Sequence, residues 1–485
     1  MSPVDLGFGA QLAVVATLVA LLLADSFIPE GRKGVLSVVA ATGVSLALAL
    51  VVAAVLSGLG EGSGTGLLFY RTVAVDSFAA FFEIIFFSLA LLVLMLAPAY
   101  LERRRIHRGE FYVLLVAALA GLMLMVSATS LMTIFIGLEL LSIALYILSS
   151  FLRTEERSQE AGLKYLLIGG FASGFLLYGM ALVYGGTGTT LLPEMAGALR
   201  GASRDSVAFS LVGIALMLVG LAYKSSAAPF HTWSPDVYEG APAPVVAFMS
   251  ASTKVAAIAV FLRLYSGTFG APGLSSRWTV LLGAVAAVSM LVGAVGALRQ
   301  QNLKRMLAYS SVAQAGYLLL GVVAGDRAGM VGGLFYLAAY AAMTFGAFGV
   351  ITLLSPATDD GASIAGLRGL GYRRPGIGLM MTVFMLSLAG IPLTAGFMGK
   401  LFIFIAAIRA GYAGLAIVAV VASVISLYYY LKVVIVIYSP ADARRRERPL
   451  DPMGTAAVLA AGALTLGLGI FPAALYDLAA KSSLL

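Results

Sequence analysis

Ionisable residues are rare inside the long apolar runs of this sequence, and the few that occur there are placed where they could carry protons. Lys164, Lys224, Lys254, Arg263, Lys400 and Lys432 lie within such runs, as do the carboxylates Glu83 and Glu139. A charge at the centre of a bilayer costs roughly 3 kcal/mol or more, so each of these needs a partner, a route to water or a change of protonation. Counting about 1.5 Å per helical residue, Lys254 stands roughly 18 Å from the start of its run and Glu139 roughly 16 Å from the start of its own, which puts both near the midplane. Glu139 sits in FIGLELLSIALYIL, among apolar neighbours. Pairing it with Lys224 keeps both groups charged, and separating them lets the lysine release its proton. Such a pair is either a switch that moves a proton or a permanent salt bridge that locks two helices.

The remaining candidates have simpler readings beside the chemical one. Lys164 is about one turn inside its helix and Lys432 about two turns from an end, so both can snorkel to the interface. Arg263, near the end of its run, reads as an anchor. Glu83, two turns beyond Asp76, could pair or open a path outward. His231, in PFHTW, has an unperturbed pKa of ~6.5 and could shuttle protons, or it could cap carbonyls of an interrupted helix. His107, in ERRRIHRG, reads as a solvated loop residue.

The elements that would position these residues follow from composition. Of 485 residues, 61% are hydrophobic and 11% charged, against about 25% charged in a soluble domain. Apolar runs long enough to cross the bilayer recur from end to end. We place about fourteen spans near 8–28, 35–58, 75–99, 111–126, 128–152, 161–184, 207–239, 242–268, 277–298, 303–323, 328–354, 375–410, 413–440 and 454–478. The expected fold is an all-α polytopic membrane protein, and the first run, with no basic leader before it, reads as its first membrane helix.

The seventh span is interrupted by AAPFHTWSPD around Pro229 and Pro235, and the twelfth by AGIPLTAG around Gly390 and Pro392. Interrupted spans five apart are what two inverted five-helix repeats would produce, because an odd offset flips the second copy. The plain alternative is proline kinks in packed helices. The repeat reading divides the chain into N-terminal helices (1–110), a first repeat of spans 4–8 (111–268), a second of spans 9–13 (277–440) and a C-terminal helix (454–485). Lys224 lies just before the first break and Lys400 just after the second, where water can enter.

Arginine and lysine concentrate in alternate connections: Arg32 and Lys33; Arg103, Arg104, Arg105 and Arg108; Arg153 and Arg157; Arg299, Lys304 and Arg305; Arg368, Arg373 and Arg374; Arg444, Arg445, Arg446 and Arg448. The positive-inside rule then turns both termini outward. The net charge of +8 is spread over these short loops and forms no continuous basic face, which argues against nucleic acid as a partner. The absence of cysteine excludes disulfides, thiolate zinc sites and cysteine-ligated iron–sulfur clusters, and two histidines make haem ligation a poor reading. No cofactor or metal is expected on this chain. No glycine-rich phosphate loop supports ATP-driven transport.

The run YKSSAAPFHTWSPDVYEGAPAPVVAFMSASTKVAA (Tyr223 to Ala257) resembles the helix 7 to 8 signature of the antiporter-like membrane subunits of respiratory complex I, the bacterial NADH-quinone oxidoreductase. GLELLSIALYIL, NLKRMLAYSSVAQAGY and GIPLTAGFMGKLFIF resemble helices 5, 10 and 12 of that family, in order along nearly the whole chain. PDVYEGAP and a lysine at position 400 are most similar to one branch. A second branch tends to carry a glutamate in helix 12, and a third adds a long lateral helix for which a chain ending at Leu485 has no room.

The resemblance implies that Glu139 is the helix 5 glutamate, Lys224 its helix 7 partner, Lys254 the central lysine and Lys400 the terminal one. It also implies a half-channel from the inside, a central hydrophilic axis and a half-channel to the outside. The sequence departs from the family at Gln314, where related subunits often carry an ionisable residue, so a proton step there would run on water. NADH, FMN, iron–sulfur clusters and quinone are expected in other subunits. The implied partners are neighbouring antiporter-like and small membrane subunits and the lipid of a bacterial inner (plasma) membrane. Two other readings share the fold: a subunit of a multisubunit cation/proton antiporter, and a non-pumping span of a hydrogenase-like membrane complex.

Overall fold

A computed structural model describes residues 2–60, 66–201, 203–270, 274–355, 363–440 and 449–484. The chain is almost wholly helical. The first three spans are α1 (Pro3–Phe27), α2 (Val35–Leu56) and α3 (Ser77–Arg103), with a hairpin of β1 (Gly66–Leu68) and β2 (Val73–Val75) before α3. Next come α4 (Glu110–Ser127), α5 (Leu131–Ser149), α6 (Glu156–Thr187), the short α7 (Leu192–Arg200), α8 (Arg204–Lys224), α9 (Trp233–Gly240) and α10 (Ala243–Phe261). A π-helical turn, Leu262–Thr268, extends α10. The second half contains α11 (Ser275–Leu298), α12 (Leu303–Ala324), α13 (Arg327–Leu354), α14 (Leu370–Arg373), α15 (Pro375–Ala389), α16 (Ala395–Arg409), α17 (Ala413–Ile437), α18 (Pro452–Ile470) and α19 (Ala473–Lys481).

Among the described residues, 13 helices are long and apolar enough to cross a membrane. The broken pair α15 and α16 completes the fourteen spans. The seventh span is likewise two pieces, α8 and α9. The last predicted span ends early: Phe471 and Pro472 separate α18 from α19, since proline has no N–H to continue the ladder. The sixth runs longer than its apolar core, with Glu156, Arg157 and Glu160 in its first turns. The sequence reading missed the hairpin and α7, both too short to register as periodic runs. Arg444, Arg445, Arg446 and Arg448 lie outside the described residues.

The protein is layered from lipid inward. Every residue of α10 is buried, and α12 and α13 are nearly so, whereas α1, α2, α6 and α17 bury only 28–33% of their most apolar stretch. The packing pairs recur at a five-span offset. The hairpin α4 on α5 is matched by α11 on α12, and α6 on α8 by α13 on α15 and α16. Glycine allows the close approaches within these pairs. A Cβ at Gly121 would come 2.5 Å from the backbone of Leu141, and one at Gly293 would come 2.3 Å from that of Ala313.

Backbone freed at the breaks is satisfied by protein, as membrane depth requires. At the first, the Ala228 N–H donates to Ser289 Oγ (2.8 Å) on α11 and Trp233 Nε1 donates to the Tyr223 carbonyl (3.1 Å). At the second, Gly390 takes the left-handed conformation (φ +88°) that closes α15, and the Gly396 N–H at the head of α16 donates to Ser387 Oγ (3.1 Å).

Candidate functional site

Lys224 is the last residue of α8 and is fully buried. Its ammonium donates to Ser142 Oγ on α5 at 2.8 Å, lies 3.5 Å from the Tyr165 hydroxyl, and stands over the Tyr165 ring. Glu139, on the turn of α5 before Ser142, accepts instead from Ser173 Oγ on α6. The expected direct pairing of Glu139 with Lys224 is therefore not what this structure holds. Lys224 and Ser173, the partner of Glu139, both line a cavity of about 10 Å³, with Ser142, Tyr146, Gly220 and Tyr223, the size of a single water. Glu139 is only part-buried, on a helix whose Met132, Ile136 and Ile143 are exposed on the surface of the chain.

Lys254 is buried in the middle of α10 and donates to the Ser311 carbonyl (2.8 Å) and Oγ (3.3 Å) on α12, with the Tyr340 ring beneath it. The buried Tyr238 hydroxyl of α9 points between Ser226, next to the first break, and Ser311. It meets hydrogen-bond geometry with neither. From Ser310 the polar contacts are continuous to the second break. Ser310 Oγ meets the Tyr430 hydroxyl, which accepts from Gln314 Nε2 at 3.3 Å, and Gln314 Nε2 also donates to the Leu388 carbonyl at 3.2 Å. The Tyr336 hydroxyl donates to Gln314 Oε1.

Lys400, one turn into α16, shares that carbonyl. Its ammonium donates to Leu388 O, Ala389 O and Ser423 Oγ, each at 3.0 Å, with the Tyr317 ring 5.0 Å away. A lysine at the C-terminus of α15 satisfies carbonyls that have no intrahelical donor and complements the helix dipole. Gly390 makes room for it, since a Cβ there would come 3.0 Å from Lys400 Cδ. Among the described residues, no carboxylate lies within ion-pair distance of Lys224, Lys254 or Lys400. An ammonium held only by neutral oxygens in an apolar interior is readily neutralised, and a carboxylate moving nearby restores its charge.

The other predicted residues separate from this axis. Lys164 does not snorkel alone: it pairs with Glu160 (2.6 Å) and with Asp236 (2.7 Å) on α9. Asp236 also takes Arg305 of α12 (2.6 Å), which reaches Glu239 at 3.1 Å, and Asn302 donates to Glu239 as well. This cluster straps α9, the second piece of the broken seventh span, to α6 and α12. Sequence reading missed Asp236, Glu239 and Arg305, although PDVYEG and NLKR carried them in plain view. His231 is half-buried in the break, its ring against Tyr309 and its Nδ1 without a partner. Lys432 reaches the Gln300 carbonyl (3.4 Å) in the connection between α11 and α12. Arg263 anchors to Asp76 at 3.0 Å, and Glu83 accepts from Gln11. His107, read as solvated, is mostly buried, with Nε2 2.8 Å from the Tyr112 hydroxyl. No cluster of three or more His, Cys, Asp or Glu that could hold a metal occurs among the described residues.

Residues 128–426, which contain the whole axis but for the last turns of α17, match the family described as NADH:quinone oxidoreductase/Mrp antiporter, TM. The chain belongs to this NADH:quinone oxidoreductase/Mrp antiporter family. Among its members, the chain is 46% identical to NADH-quinone oxidoreductase subunit N of Trichlorobacter lovleyi, over 86% of this chain and 84% of that one. It is 40% identical to subunit N of Chloroflexus aggregans, over 99% and 97%. The branch singled out by PDVYEGAP and Lys400 is thus that of subunit N. Family likeness extends to solved structures. A chain of respiratory complex I from Thermus thermophilus superposes with a TM-score of 0.82 at 36% identity, covering 97% of this chain and 99% of that one. A chain of the Mrp complex from a Dietzia species superposes with a TM-score of 0.86 at 24% identity, over 99% and 97%, a likeness of fold alone.

Proposed function

We propose that this chain is the proton-translocating membrane subunit, subunit N, of a NADH-quinone oxidoreductase in a bacterial plasma membrane, with both termini outward. The observation that carries the reading is the arrangement of Lys224, Lys254 and Lys400, buried in separate helices, bound only by neutral oxygens, and linked from Ser310 to Lys400 through Tyr430, Gln314 and the Leu388 carbonyl. Relatives 38–46% identical over most of their length carry the name of that subunit.

In this reading NADH, FMN, iron–sulfur clusters and quinone belong to other subunits, and this chain holds no redox centre. Residues 111–268 and 277–440 act as two inverted repeats, each opening a half-channel at its break, flanked by 1–110 and 454–485. Glu139 is the input. Part-exposed at membrane depth, it is covered by a neighbouring membrane subunit, and a change there brings it toward Lys224 or withdraws it. Withdrawal releases the Lys224 proton to the cavity water, on past Tyr238 and Ser311 to Lys254, and through Gln314 to Lys400. The test is proton pumping in vesicles by the assembled complex bearing Lys224→Ala, beside its quinone-reductase rate. Loss of pumping with assembly intact supports the role; normal pumping removes it.

The family description also covers Mrp antiporters. Sodium-coupled proton movement without quinone reduction would favour that competing reading.

A further inference from the structure

Glu83 is a buried carboxyl group that the lysine axis does not use. It is 2% exposed, in the second turn of α3, and accepts a hydrogen bond from Gln11 Nε2 of α1 at 2.9 Å. Gln11 is itself buried at 5% exposure. On the same face of its own helix, one turn before and after, stand the buried Ala79, Ala80, Phe86 and Phe87. Asp76, the N-cap of α3 two turns away, is engaged by Arg263 and by the Ala79 N–H.

The groups facing this end from the packed helices are few. The buried side chains of α2 are all apolar. From α1 comes the neutral Gln11, and from the π-helical turn after α10 comes Arg263, committed to Asp76. From α4 comes the Ser127 hydroxyl, bonded to its own helix. Arg327 and Lys481 at the same end are exposed. No cation among the described residues is within ion-pair distance of Glu83. One neutral amide cannot offset the desolvation of an ionised carboxylate, whereas a carboxylic acid needs only its hydrogen bonds satisfied.

We propose that Glu83, positioned by Gln11, is a proton-binding site separate from the lysine axis, holding its proton as a neutral acid and exchanging it with the outer aqueous face past Asp76 and Arg263. Gln11 is a positioning residue here, since it fixes the carboxyl group without carrying a charge.

The test uses the assembled complex in oriented vesicles and the apolar reagent dicyclohexylcarbodiimide. It adds only to a protonated carboxyl group: the carboxyl oxygen bonds the central carbon, the proton moves to nitrogen and nothing leaves. Mass spectrometry should find the adduct on Glu83, falling as the outer pH is raised at fixed inner pH and lost in Glu83→Gln. Infrared spectra should lose a protonated-carboxyl C=O band in the same variant. Lys224→Ala should leave both signals in place, which separates this site from the pumping role above. Labelling that follows the inner pH would overturn the proposal, as would finding neither the adduct nor the infrared band. Should Glu83→Gln fail to assemble, the pH dependence of labelling in the unmutated complex decides alone.

Discussion

The two breaks place a lysine beside an interrupted helix in opposite ways. At the first, Lys224 closes α8 and points away from the break, to a hydroxyl on α5 beside a cavity, while the freed backbone is satisfied by Ser289 and Trp233. At the second, Lys400 follows the break and points back into it, donating to two carbonyls at the end of α15. Lys224 thus has no part in holding its break together, whereas Lys400 is both a relay candidate and a helix cap. In the proposed role, the Lys224 proton is mobile and sits where its loss leaves no backbone group unsatisfied. A charge at the end of the axis can double as structure, because its acceptors are fixed.

That contrast can be broken most sharply at the lysines. Lys400→Ala should abolish pumping and also destabilise the subunit by about 1 kcal/mol, since it removes the charged donor from two buried carbonyls and leaves them only the neutral donors Gln314 Nε2 and Ser423 Oγ. Lys224→Ala should abolish pumping with an unfolding midpoint near that of the unmutated protein. Thermal unfolding of the purified complex, followed beside vesicle pumping, checks both, and equal destabilisation by the two variants would erase the distinction.

Gly390→Ala sharpens the comparison at the second break alone. It forces a side chain into the left-handed region against Lys400 and should cost about 1–3 kcal/mol, with pumping falling as Lys400 is displaced. Ser142→Ala removes one hydrogen bond from Lys224; at about 1.4 kcal/mol, pumping should slow about tenfold with stability little changed. The smallest effect is expected from Asp236→Asn, which weakens the ion pairs of Lys164 and Arg305 at part-exposed positions. It should cost about 1 kcal/mol or less, and less again at high salt.

Much of this was legible because the bilayer makes ionisable residues conspicuous. Lys224, Lys254 and Lys400 are exceptions to long apolar runs, and the breaks at Pro229 and Gly390 announce themselves by composition. Their partners were not legible. Ser142, Ser173, Ser311, Ser423 and Tyr430 are ordinary residues of membrane helices, and only packing between helices far apart in sequence selects them. Gln314 looked like a gap in the axis; bonded to Tyr430, Tyr336 and Leu388 O, it is a junction. Asp236 and Glu239 were passed over because their cations, Lys164 and Arg305, arrive from two other spans.

The sequence by itself determined the number of the spans, where two of them break and which charges lie within apolar helices, because apolar length, proline and the cost of a buried charge act locally. The tertiary structure decided what each charge meets. It set Lys224 against a hydroxyl and a cavity instead of Glu139, and Lys400 against the carbonyls of its own broken helix. Those contacts depend on how α5, α6, α12 and α17 pack around the breaks, and no local pattern encodes a distance between helices.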